Sequence, residues 1–275
     1  VLGPLSDAPA EVNPGVARGR AQTVSSGPDS EEIIEIVSRF LLQRPGARSF
    51  AFKQNRVPDT LDFHTRMGNV VAVEVNQADV STGAGEIIVG RALGNLTAKT
   101  QGGPINIGET FAAVEAETAA GDILLNSANR GAYLKTGGGN IRVRRARGAL
   151  RLISGGGDIT VQEAAHDVTA HTKSGDVTIH VPAGVKTLSL DLETSGGNII
   201  VTLPPELKAN IDATVITSDS ENHTIDSTVS GLAIVRDMVG GRNRIRAKGS
   251  LNGGGPVLKI VVEEGNVQLR QFGSR

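Results

Sequence analysis

Residues 136–161 read TGGGNIRVRRARGALRLISGGGDITV. The phrase GGGNIRV at 137–143 returns as GGGDITV at 155–161, 18 residues later. A glycine cluster, a small polar residue and an apolar alternation that recur at one distance mark a repeat, which outranks any local motif. Working outward, glycine followed one residue on by Ile or Val occurs at Gly85, Gly103, Gly121, Gly139, Gly157 and Gly175, always 18 apart. A seventh copy, Gly197, follows after 22. Three positions before each stands a hydroxyl residue: Thr82, Thr100, Thr118, Thr136, Ser154, Thr172 and Thr194.

Between the glycines the pattern has the period of a strand. Ile105, Ile123, Ile141 and Ile159 follow the turns, and Ile107, Leu125, Val143 and Val161 come two residues later. A second alternation, such as Leu150 and Leu152, precedes each hydroxyl residue. Period two with β-branched residues indicates half-buried strands. One such unit cannot bury its apolar side, whereas stacked units turn each position into a ladder. The predicted fold is therefore all-β: a parallel β-solenoid with coils of about 18 residues, set about 4.8 Å apart. The glycines are expected to supply positive φ at tight corners. Asp122, Asn140, Asp158, Asp176 and Asn198 suit the same turns. The hydroxyl ladder is expected to bond from coil to coil, and Ala128, Ala146 and Ala164 fit the opposite corner.

The flanks differ. Residues 1–28 are rich in Pro, Gly and Ser and read as an extended N-terminal arm or linker. Residues 29–61 read as a capping segment, a helix followed by an entering strand. Within it Ile33, Ile34, Val37, Phe40 and Leu41 have helical spacing, Asp29 or Ser30 can cap, and Arg44-Pro45-Gly46 stops the helix. Residues 62–271 form the predicted solenoid, with 272–275 as a tail. After Gly197 the repeat loosens into wider coils, with a loop expected near Asp237 to Arg246. The motif revives at Gly265-Asn266-Val267.

The repeated T-x-x-G-[DN]-[IV]-x-[VIL] units, followed by LPPELKANIDA and GSLNGGGPVLKIVVEEGNVQLR, resemble an adhesin-like β-solenoid family of bacterial cell-envelope proteins, over about residues 62–271. That resemblance implies an exported or envelope-associated protein and transfers no catalytic residue. Composition bounds the rest. A net charge of -1 argues against a general nucleic-acid binder. With no cysteine, disulfides and cysteine-based metal or catalytic sites are excluded. No apolar run is long enough to span a bilayer. The chain begins at Val1, which fits either a removed signal peptide or an arbitrary starting point. The expected location is secreted, cell-surface or periplasmic.

Candidate chemistry is sparse. His171 and His180 fall at outward positions and can meet at a metal, but no third ligand stands at metal spacing, so solvated histidines are favoured. The Asp/Asn ladder can hold calcium, although Glu86 and Pro104 break it and turn chemistry explains it. Outward carboxylates are too scattered for a glycosidase pair. GGGNI leads into a strand, whereas a phosphate loop leads into a helix. The expectation is a protein that is not an enzyme, with no cofactor, metal or catalytic residue.

What remains is Arg142, Arg144, Arg145, Arg147 and Arg151. As a solvated face they pair across coils, Arg145 with Glu163. As a site they contact an anionic partner such as a glycan or surface polymer. The leading expectation for function is a rigid structural subunit that self-associates, into an oligomer or filament, through its ends and its arm. The arm can add a strand to a neighbour's sheet.

Overall fold

The computed structural model describes residues 17–18, 49–52, 60–218 and 223–272. The predicted helix after residue 29, most of the predicted arm and the residues after 272 lie outside the described residues. The described residues form a parallel β-solenoid and contain no helix. Each coil sends one strand to each of two sheets. Gly131–Thr136 lies in the larger sheet, Ile141–Ala146 in the smaller, and Ala149–Ser154 returns to the larger.

Register follows the repeat. Ala132 faces Leu150 and Leu134 faces Leu152 in one sheet, while Ile141 faces Ile159 and Val143 faces Val161 in the other. A slip of one residue would turn every aliphatic side chain to water, so the pattern fixes the pairing. The ladders meet in one aliphatic core, in which Ile105, Ile123, Ile141, Ile159, Leu134 and Leu152 are fully buried. Each such side chain contributes roughly 1.5–3 kcal/mol. In the smaller sheet the alternation breaks once per coil. Arg144 and Arg145 both point outward, which brings Ala146 into the corner beside Ala128 and Ala164.

The hydroxyl and glycine registers have one cause. The Gly139 N–H donates to Thr136 Oγ1 (3.1 Å), and that hydroxyl donates to the Gly121 carbonyl of the preceding coil (2.8 Å). Ser154 repeats both bonds with Gly157 and Gly139, each at 2.9 Å. Two buried backbone groups per corner are thus satisfied by one side chain. The expectation of positive φ fails at these corners: of the seven ladder glycines only Gly85 has it. Close approach is the reason instead. A Cβ on Gly121, Gly139, Gly157, Gly175 or Gly197 would meet the carbonyl of the glycine one coil back, closer than any real Cβ contact.

The Asp/Asn residues likewise bond to the next coil. Asp122 Oδ1 accepts the Asn140 N–H (2.7 Å), Asn140 Oδ1 that of Asp158 (2.8 Å), and Asp158 Oδ1 that of Asp176 (2.9 Å). At Pro104 the relay has no N–H to receive it.

Beyond Leu203 the expected succession of wider coils gives way to an insertion. Strand Ala209–Thr217 does not pair with Leu190–Thr194. The strand Val257–Glu263 lies between them, parallel to both. In the smaller sheet Val267–Gln271 lies between Ile199–Leu203 and Ile225–Ser227. The chain passes one level ahead, then returns to fill the gap with its final coil. The loop expected near Asp237 to Arg246 is a hairpin of Ala233–Val239 and Arg242–Leu251, antiparallel to each other. Gly240 and Gly241 have φ of 58° and 79°, the signature of a two-residue turn whose twist suits a hairpin.

Candidate interaction surface

The structure separates the five arginines. Arg142, Arg144 and Arg145 project from Ile141–Ala146 on the smaller sheet, and Arg147 stands at the corner. Arg151 is on Ala149–Ser154 in the larger sheet, opposite Tyr133 and Thr169. Arg145 belongs to a column of alternating sign that runs Glu74, Arg91, Glu109, Ser127, Arg145, Glu163. Its Nε donates to Glu163 Oε2 (2.7 Å), and Arg91 pairs with Glu74 (3.5 Å) and Glu109 (3.4 Å). The Arg145 hydrogen bond holds the Glu163 carboxyl below its ordinary pKa and raises that of the guanidinium. Arg147 donates to Asn129 Oδ1 (3.2 Å). Among the described residues neither Arg142 nor Arg144 has an ion-pair partner.

His171 and His180 do not meet. His171 lies in the larger sheet near Asp191 (3.9 Å), and His180 lies in the smaller, edge-on to Phe272 (4.9 Å). Adjoining strands in sequence are opposite walls of the coil. Among the described residues no three His, Cys, Asp or Glu side chains converge as a metal site. One constellation had no sequence signal. Ser81 Oγ is 2.6 Å from His64 Nδ1, and His64 Nε2 is 2.8 Å from Asp62 Oδ1. The order resembles a nucleophile relay, but Asp62 is 73% exposed and His64 50%. Ser81 also sits mid-sheet with strands paired on both sides, so its backbone offers no spare N–H pair to an oxyanion.

The surface that stands out lies at the C-terminal end. Ala233–Val239 ends the larger sheet and is exposed along its whole length. Ile234, Val235 and Met238 are 49%, 58% and 68% exposed. Natural edges are usually blunted by bulges, prolines or charged side chains, lysine above all. This strand carries Arg236 and Asp237, and the Arg244 guanidinium bonded to Asp237 holds that carboxyl below its usual range. The dipeptide Gly240-Gly241 between two apolar runs is the signal that would have revealed the hairpin.

Behind the edge, the turn residue Glu264 ties the inserted coil to its neighbours. It accepts bonds from the Ser218 N–H (2.9 Å), the Thr217 hydroxyl (2.9 Å) and Arg242 Nη2 (3.1 Å). Those donors, the Ser218 N–H first, lower its pKa to about 2. Glu264 is also one of two non-glycine residues with positive φ (49°) among the described residues.

Two stacked parallel sheets built from one glycine-turn repeat define a β-solenoid repeat protein, an architecture suited to a structural or interaction module. The chain belongs to the Toastrack DUF4097 family, whose model matches residues 54–231. The exposed edge strand and the inserted coil lie beyond that match. No match was found among curated proteins or among solved structures.

Proposed function

We propose that the protein is a non-enzymatic structural module that self-associates through the open end of its solenoid. The observation that carries this reading is the strand Ala233–Val239, exposed along its whole length, apolar at five of its seven residues and last in the larger sheet. A row of unpaired N–H and C=O groups beside apolar side chains is a template for another strand. The rigid stack behind it, each coil held by glycine–hydroxyl bonds, suits a load-bearing subunit. The proposal locates it at the cell surface or in the periplasm, following the envelope resemblance of the repeat; fractionation of cells is the check. Sedimentation and electron microscopy of the purified chain, with and without residues 1–28, test self-association. Monomers under all conditions would sink it.

A second reading rests on Arg142 and Arg144, exposed on one strand without ion-pair partners among the described residues. In it the smaller sheet is an adhesin-type face for an anionic glycan or surface polymer. Reversal of Arg142 and Arg144 to Glu should then abolish polymer binding at low salt; unaltered binding rejects this reading.

A further inference from the structure

We propose that two copies of the chain pair antiparallel along Ala233–Val239, about a two-fold axis that passes through Val235. This rests on the reading of the protein as self-associating and replaces open-ended stacking with a closed pair at one end. A two-fold normal to a sheet puts paired side chains on the same face, so each residue meets one of the same parity. The axis can fall on Arg236 and pair 233–239, on Asp237 and pair 235–239, or on Val235 and pair 233–237. Axes farther out pair too little of the strand.

Charge decides among the three. An axis on Arg236 sets two guanidinium groups directly opposite, and one on Asp237 sets two carboxylates opposite. Like charges in that position are destabilising. An axis on Val235 opposes no like charges. It places Val235 on its own copy, Ala233 on Asp237, and Ile234 under the aliphatic stem of Arg236. At the margins Leu232 comes opposite Met238. Asp237 keeps its Arg244 partner throughout.

Geometry and net charge admit the pair. The larger sheet continues by two strands, Arg242–Leu251 and Ala233–Val239, beyond Ala209–Thr217. The smaller sheet stops at Ile225–Ser227. The hairpin therefore overhangs, with no described strand facing Ile234 and Met238, and a second overhang can join it. A net charge of -1 gives little repulsion between copies.

The chain has no cysteine, so single substitutions report directly. Opposed residues in an antiparallel pair have Cα atoms about 4.5–5.5 Å apart, within disulfide reach. Under mild oxidation Val235→Cys should cross-link to a covalent dimer in high yield, while Arg236→Cys and Asp237→Cys should not. Val235→Lys should shift the chain to monomer in sedimentation, with its far-ultraviolet circular dichroism unchanged and its melting temperature no longer dependent on concentration. Self-association without the Val235→Cys cross-link, or with cross-linking at 236 or 237, overturns the proposed pairing and leaves the self-associating module standing. Monomer at every concentration overturns both.

Discussion

Asn198 and Asn266 are 68 residues apart in sequence and occupy consecutive levels of one ladder. Asn198 Oδ1 accepts both the backbone N–H and the side-chain Nδ2 of Asn266, each at 3.0 Å. The chain thus completes its stack by inserting its last coil between two it has already made. Deleting residues 252–275 should strip Leu190–Thr194 and Ala209–Thr217 of their shared partner. Because coils contact only their neighbours, amide-exchange protection should vanish over 209–251 and persist over 77–180. A synthetic peptide of residues 256–272 should restore it. Protection of 209–251 in the truncated chain would contradict the insertion.

Within the inserted coil, Ile260 is fully buried, with Leu192 on one side and Ala213 on the other. Ile260→Ala should cost about 2–5 kcal/mol, the range for emptied core positions. Chemical denaturation measures it.

The corner glycines give a paired test of close approach. Gly121→Ala would drive its Cβ into the Gly103 carbonyl. Backbone cannot rotate away as a side chain can, so a loss of at least about 1–3 kcal/mol is expected. Gly138 has nothing within 4 Å of its virtual Cβ and no positive φ. Gly138→Ala should be neutral or stabilise by about 0.4–1 kcal/mol through the unfolded chain. Equal effects of the two substitutions in thermal melts would refute the distinction.

How far the sequence carried the fold can be read from these same residues. The 18-residue period exposed the strands of the regular coils, the hydroxyl ladder and the Arg145–Glu163 column, because parallel stacking turns sequence spacing directly into register. It misjudged the glycines, since a repeated Gly-Asp or Gly-Asn looks alike whether it relieves φ or admits a neighbouring carbonyl. The Gly265 motif was visible, but its level in the stack was not: Gly197 and Gly265 pair through a long-range insertion that spacing does not encode. The edge strand AIVRDMV went unseen, its first residues assigned to the expected wider coils and its last three to the loop expected near Asp237 to Arg246. Its exposure follows from being last in the sheet, a property of topology rather than of its own residues. Arg151 parted from Arg142 because a corner lies between them.

Thr136 tests the shared cause of the hydroxyl and glycine registers. Thr136→Val keeps the shape and leaves the Gly139 N–H and the Gly121 carbonyl without their partner. The expected cost is about 1–3 kcal/mol for each buried group left unmet. Thr136→Ser should be nearly silent, because Ser154 makes the same two bonds one coil on. A Val variant as stable as the Ser variant would reject the account.

Glu264 gives the pH dependence. Its ordinary pKa of 4.5 falls to about 2 in the folded chain. A carboxyl with a depressed folded pKa binds protons more readily when unfolded, so its stabilisation is complete above about 4.5 and is lost as pH falls through about 2. The contacts at stake are those to Thr217, Ser218 and Arg242, which join the inserted coil to the coil and hairpin around it. Acid should therefore loosen the contacts that hold the inserted coil at the C-terminal end. Glu264→Gln keeps the side chain's size and a carbonyl acceptor but cannot ionise. It should lower stability at neutral pH and flatten the dependence of stability on pH between 4.5 and 2. Denaturation midpoints for both proteins across that window measure the difference; parallel curves would show that Glu264 does not carry the effect.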